Sequence, residues 1–230
     1  MLKGWFGEKK TALAIWWGLD EKVYSRYHNI IIPSRNGTAQ IDHLLLSQFG
    51  LFIVETKNMK GWIFGSEDQA KWTQVLYRQK HSFQNPLRQT FRQKKVLAEF
   101  LSLDERLIHT VVFFVGDCQF KTELPPNVMS SRLASYVKSF RSQVLTPKGL
   151  EGIRQRLSDL ADNAPVSKKE HLASLHERHS SDVVCPKCGS DLVERTAKSG
   201  PNAGSRFLGC SSYPKCRFTK KHSLKPALSR

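Results

Sequence analysis

No apolar run in this 230-residue chain approaches the ~20 residues that span a bilayer, so neither a membrane helix nor a membrane partner is expected. Leu13 to Leu19, with Trp16 and Trp17, comes nearest. Glu8-Lys9-Lys10 precedes it and no small-residue cleavage site follows, which argues against a signal peptide; a cytoplasmic setting is expected. Residues 5–24 read instead as an amphipathic first helix. Acidic residues are scarce: 20 Asp and Glu stand against 36 Lys and Arg, a formal net charge of +16. That deficit points to a polyanionic partner, because clustered Lys and Arg release counterions from a phosphate backbone. Cysteine is sparse as well. There are five, and with no export signal a disulfide framework is not expected.

The charge and the cysteines concentrate in the same place. Residues 166–230 hold 13 Lys and Arg against 5 Asp and Glu, a surplus of +8. Four cysteines lie there as Cys185-Pro186-Lys187-Cys188 and Cys210-Ser211-Ser212-Tyr213-Pro214-Lys215-Cys216, a C-x2-C and a C-x5-C separated by 21 residues. Two such knuckles offer four thiolates for one closed, tetrahedral structural Zn²⁺, without which so small a module would barely fold. Cys118 reads as a core or loop thiol without a role. Around the knuckles, Phe207, Tyr213 and Phe218 alternate with Lys198, Arg206, Lys215, Arg217, Lys220 and Lys221. This mixture suits unpaired nucleic acid: rings stack on bases while cations follow the backbone, although a small ribbon needs at least one such ring for its own core.

The other half of the chain carries a different chemistry. Gln40-Ile41-Asp42-His43 is followed by two strand-forming runs, Leu44 to Leu46 and Leu51 to Val54, joined by Ser47-Gln48-Phe49-Gly50 as a turn. Pairing Leu46 with Leu51 sets Asp42 opposite Glu55. The period of two then puts Asp42, Glu55 and Lys57 on one face and turns Thr56 away. Neighbouring carboxylates repel unless a cation bridges them, and Mg²⁺ takes hard oxygen ligands while keeping waters. The alternative is an exposed strand face whose charges pair to little effect. Asp42 fits that alternative poorly, since it interrupts an otherwise apolar strand and burial without a ligand is costly.

Further along, Gly61 to Gly65 and Lys71 to Leu76 read as strands. Asn85-Pro86 starts a helix that runs to about Leu103, with Leu87, Phe91, Ala98 and Leu101 on one side and Gln89, Gln93, Val96 and Phe100 on the other. A helix apolar on both sides is largely buried, and its glutamines can face the carboxylates. Thr110 to Val115 reads as a buried strand, and residues 131–145 and 147–160 as helical. Ala161 to Ser181 lacks a strong apolar pattern and is taken as a linker, helical at most in part.

The C-terminal arrangement closely resembles the four-cysteine zinc finger of bacterial type IA DNA topoisomerases over about Val183 to Lys220, including the Phe-x-Gly-Cys and Tyr-Pro-x-Cys surroundings. In that family such fingers bind DNA and favour single strands. The resemblance implies a DNA tether, for which Arg206, Phe207, Tyr213, Lys215, Arg217 and Phe218 are the candidate contacts from the residue pattern, but no topoisomerase activity, since the chain is too short for that enzyme's strand-passing body and tyrosine site. The first domain resembles the nuclease-related domain family, a branch of the PD-(D/E)xK nuclease superfamily, over about residues 4–120. The resemblance is carried by Gly7-Glu8, Gln40 to His43, Gly50 to Asn58 with its Glu55-Thr56-Lys57, Gly61, Trp72 and Asn85 to Gln89. It implies an α/β, restriction-endonuclease-like mixed sheet flanked by helices, with Asp42 and Glu55 as metal ligands and Lys57 as catalytic lysine. Glu8 resembles the extra acidic residue of many members, and Gln89 the helix glutamine of some branches. A helix-start carboxylate and a satisfied polar residue are the simpler readings of those two.

The expected organisation is a nuclease-like domain over 1–160, a linker over 161–181, a zinc-finger module over 182–222 and a basic tail over 223–230. The expected function is a DNA nuclease in which Asp42, Glu55 and the Thr56 carbonyl bind Mg²⁺ or Mn²⁺. A catalytically silent DNA-binding or repair-scaffold protein and an RNA-directed nuclease are the alternatives.

Overall fold

The computed structural model describes residues 18–35, 37–163 and 167–221. Five strands form a mixed sheet in the order β1-β2-β3-β7-β9: β1 (Ser25–Ser34), β2 (Gly37–Ser47), β3 (Gly50–Asn58), β7 (Ile108–Val115) and β9 (Val128–Met129). Strands β1 to β3 are antiparallel neighbours, whereas β7 runs parallel to both β3 and β9. A second sheet joins β4 (Gly61–Phe64), β5 (Lys71–Leu76), β6 (Gln79–Gln84) and β8 (Cys118–Phe120) in the order β6-β5-β4-β8. Of the expected first helix, residues 5–17 and with them Glu8 lie outside the described residues. Residues 19–24 are irregular, and Ser25 opens β1.

The central hairpin adopts the register expected from its apolar runs, with Leu46 paired to Leu51 and the ladder running to His43–Val54. Alternation divides its side chains between two cores. Leu44, Leu46, Leu51 and Ile53 meet Val96, Leu97 and Leu101 of α1 (Pro86–Leu101), while Leu45, Phe52 and Val54 face the aromatic cluster of Tyr24, Phe49 and Phe140. Ile41 joins the α1-side core as well, so strict alternation breaks at Asp42. The pairs His28–His43 and Ile30–Ile41 put Asn29 across from Asp42, and Asn29 takes φ +54, a conformation Asn tolerates better than most residues. Next to this kink His28 Nδ1 and His43 Nδ1 lie 2.7 Å apart, and burial lowers His43 to about 4.

Helix α1 starts at Asn85 because this fully buried side chain holds two structures at once. Its Oδ1 accepts from Leu87 N–H as the N-cap, and its Nδ2 donates to the carbonyls of Ser66, Glu67 and Gln69. Pro86 occupies the first turn, and Ser102 closes the helix in the left-handed region. The expected division of its apolar residues is finer in the structure. Leu87 packs under the second sheet with Trp72 and Phe114, Phe91 meets the cysteine cluster, and Ala98 and Leu101 join the main core.

One expected helix is shorter than its pattern, and the segment read as a linker is largely helical. Of residues 131–145 only α2 (Leu133–Lys138) is helical. Beyond it Phe140 lies tilted against His109 and edge-on to Tyr136, and the N–H groups of Val144 and Leu145 both donate to the Gln48 carbonyl, so tertiary docking wins over helical pattern. Helix α3 (Pro147–Asn163) forms as expected. The segment read as a linker contains α4 (Lys168–Ser180), which begins at a capping box of Ser167 and Glu170.

The β5–β6 loop holds Tyr77 at φ +56 with 94% of the residue exposed. A bulky residue there is strained and gains nothing from packing. Tyr77→Gly is expected to raise stability by about 1 kcal/mol, the relief of strain exceeding the entropy glycine adds to the unfolded chain. An unchanged urea midpoint would show the loop to be unstrained.

Candidate active site and zinc centre

The β2–β3 ladder stops one pair short of Asp42–Glu55. Where the next backbone bond would fall, Asp42 Oδ2 accepts from Thr56 N–H at 3.0 Å, so the carboxylate stands at the mouth of a gap between the strands. Glu55 is 2% exposed. Its Oε1 accepts from Lys57 Nζ at 2.5 Å and its Oε2 from Gln93 Nε2 at 2.7 Å. Lys57 Nζ also donates to Gln89 Oε1 at 3.0 Å, and Gln93 Nε2 to the Gln40 carbonyl at 2.9 Å. Period two on β3 puts Glu55 and Lys57 side by side, and the four-residue step of α1 brings Gln89 and Gln93 onto the same stripe above them. Asp42, Glu55, Thr56, Lys57 and Gln89 therefore all line one cavity. Gln93 completes the Glu55 shell. Its place beside Gln89 on the helix was visible in the sequence, but nothing in the spacing singled out its contact with Glu55.

The donor set suits a hard divalent cation. Two carboxylates and a main-chain carbonyl offer oxygen donors, and Gln93 Oε1, on a residue 3% exposed, is a buried acceptor with no hydrogen-bond partner among the described residues.

The cysteines form the second centre. Cys185, Cys188, Cys210 and Cys216 are all buried, and their ligand atoms lie within 4.8 Å of one another, with Cys188 Sγ 3.3 Å from Cys210 Sγ and Cys185 Sγ 3.8 Å from Cys216 Sγ. A three-stranded sheet carries them: β10 (Leu192–Thr196), β11 (Arg206–Cys210) and β12 (Thr219–Lys221), with the first knuckle preceding β10 and Cys216 in the β11–β12 connection. Four such donors in this spacing fit tetrahedral Zn²⁺.

Residues 3–115 match the model of the nuclease-related domain, and residues 182–225 match the topoisomerase DNA binding C4 zinc finger. The chain carries a nuclease-related domain and a topoisomerase-type zinc ribbon. The nuclease-related match coincides with the sheet that holds Asp42, Glu55 and Lys57, and the ribbon match supports a structural Zn²⁺ at the four-cysteine cluster. An uncharacterized protein of Bacillus anthracis is 45% identical over 122 residues, 52% of this chain and 56% of that protein. DNA topoisomerase 1 of Archaeoglobus fulgidus is 57% identical over 35 residues, 15% of this chain but 5% of the topoisomerase. An uncharacterized protein of Escherichia coli is 53% identical over 36 residues, 16% of this chain and 17% of that protein. The chain thus spans about half the length of the first of these relatives and small parts of the other two. No solved structure matches.

The ribbon's expected binding residues have unequal surroundings. Tyr213 is exposed with Arg195 5.7 Å from its ring, and Arg206 pairs with Glu194 at 3.0 Å. Lys215 and Arg217 are exposed, and Phe207 is half-buried. Phe218 packs on the cysteine cluster, as expected for at least one ring, while Lys187 lies 5.4 Å from its ring. Cys118, the first residue of β8, packs against the core of Ile63, Trp72 and Phe114, where burial raises its thiol pKa. No described helix is long and apolar enough to cross a membrane.

Proposed function

We propose that the protein is a metal-dependent DNA nuclease whose zinc ribbon binds the substrate, favouring single or partly unpaired strands. The reading rests on one observation above all: a nearly inaccessible carboxylate, Glu55, sits between a lysine and a glutamine on the same cavity wall as Asp42. Asp42, Glu55 and the Thr56 carbonyl would hold Mg²⁺ or Mn²⁺. When bound, such an ion supplies neutralisation of phosphate charge and a more acidic water.

The chain's own groups supply the rest. Gln93 fixes one Glu55 oxygen, leaving the other to choose between Lys57 and a cation. With Asp42 and Glu55 holding a cation, Lys57 would be released from Glu55 towards the cavity, where its ammonium would orient the attacking water or stabilise negative charge developing on phosphorus. Gln89 keeps the lysine on the cavity side after release. The ribbon's match to a DNA binding finger supports DNA as substrate, and its exposed Tyr213 and neighbouring cations support stacking of unpaired bases.

The test is incubation of supercoiled, linear and single-stranded DNA with wild type and Lys57→Ala, with Mg²⁺ or Mn²⁺ against chelator. Cation-dependent cutting that Lys57→Ala abolishes is expected. No cutting of any form by wild type would sink the reading.

A further inference from the structure

The cavity that holds Asp42, Glu55 and Lys57 is not closed by the nuclease-related domain alone. Pro186, Lys187 and Phe218 of the ribbon line it too, as do Arg88 of α1 and Lys71 of β5. The ribbon is seated there by several contacts: Phe91 packs against the cysteine cluster, and Arg35 pairs with Asp191 at 3.3 Å. It therefore forms one wall of the cleft.

The cleft's charge does not balance. Its lining holds five cations, Lys57, Lys71, Arg88, Arg92 and Lys187, against the two carboxylates Asp42 and Glu55. Lys57 is committed to Glu55. Among the described residues no carboxylate stands within ion-pair distance of Lys71, Arg88 or Lys187. Arg88 belongs to the nuclease-related domain and Lys187 to the first zinc knuckle, so one cation is offered from each side of the seam. Phe218, beside Lys187, presents a half-buried ring to the same space. The cavity measures about 730 Å³. That lies within the roughly 300–1,000 Å³ of small-ligand sites, room for an unpaired nucleotide; a duplex would have to push the ribbon aside.

We propose that one unpaired DNA strand passes between the ribbon and the nuclease-related domain, with Arg88 and Lys187 gripping the same backbone phosphate and Phe218 offering its ring to the adjacent base. The clamp deepens the nucleic-acid reading given above and rests on it, but it does not require turnover. Charge-assisted bonds from two elements to one phosphate fix the strand's register relative to Asp42 and Glu55, which a ribbon acting as a distant tether could not do.

Fluorescence anisotropy of a labelled oligothymidylate, without added divalent cation, tests it on wild type, Arg88→Gln, Lys187→Gln and the double variant, each checked for zinc content. Each single change is expected to weaken binding roughly three- to tenfold. The double variant should fall short of the product of the two effects and lower the salt slope by about 0.7, the increment of one phosphate on a single strand. Multiplicative losses with about twice that slope change would mean separate phosphates and would overturn the clamp, as would unchanged or tighter binding. A hairpin duplex should be insensitive to both substitutions; equal losses on it would overturn the single-strand path. Because binding is read without cleavage, a protein that grips as expected and never cuts refutes the nuclease reading and leaves the clamp standing.

Discussion

Asp42→Asn and Glu55→Gln are each expected to lower Mg²⁺-dependent DNA cleavage by about 10³-fold, roughly 4 kcal/mol of barrier. Both substitutions keep the side chain's size and remove only its charge, so the lost quantity is affinity for a hard cation and not packing. Their effects on the fold should differ. Asp42 stands at the mouth of the strand gap, and the amide oxygen of Asn can still accept from Thr56 N–H. Glu55 is buried against Lys57, so Glu55→Gln leaves the ammonium without its charged partner and should destabilise the metal-free protein more than Asp42→Asn does. Mn²⁺ titration by calorimetry, beside a plasmid cleavage assay and thermal unfolding, separates these effects. Full activity in both variants would remove the pair from the mechanism.

The second large effect concerns zinc. The purified protein should carry about one zinc per chain, and Cys188→Ser or strong chelation should unfold the ribbon while leaving the α/β body intact. The ribbon's buried residues are largely the cysteines themselves with Leu192 and Leu208, too small a core to stand without metal. Metal analysis under reducing conditions and limited proteolysis around residues 182–221 read the outcome. A zinc-free protein with a protease-resistant C-terminal region would contradict it.

The site was legible where chemistry follows spacing. Two apolar runs and a glycine turn were enough for the Leu46–Leu51 register, although the ladder ends at His43–Val54, one pair short of Asp42 and Glu55, and knuckle spacing was enough for the thiol cluster. Asn85-Pro86 announced its helix because cap and first-turn proline are local signals. Strand β6 stayed hidden because its sequence, Gln79 to Gln84, is polar and nearly all exposed, held by pairing with β5 and not by burial. Residues 139–145 carried a helical pattern that docking onto Gln48 overrode. Arg88 and Lys187 could not be associated from sequence at all, since about a hundred residues separate them and only the ribbon's seat makes them neighbours in one cleft.

That seat depends on α4. Thr38 Oγ1 of β2 lies 2.5 Å from His171 Nδ1 and 2.6 Å from Ser174 Oγ, and Gly37, at φ +83, comes so close that a Cβ there would meet the Ser174 Cβ at 3.0 Å. At the helix's other end Lys220 of β12 pairs with Asp182 and donates to the carbonyls of Ser180 and Ser181. A chain of this length left free would give the ribbon an effective concentration of order millimolar near the sheet and an orientation to be found anew at each encounter. Bolted to β2 at one end and to the ribbon at the other, α4 makes that search unnecessary: the two modules would meet the proposed strand as a single pre-aligned jaw, with the entropy of assembly spent during folding.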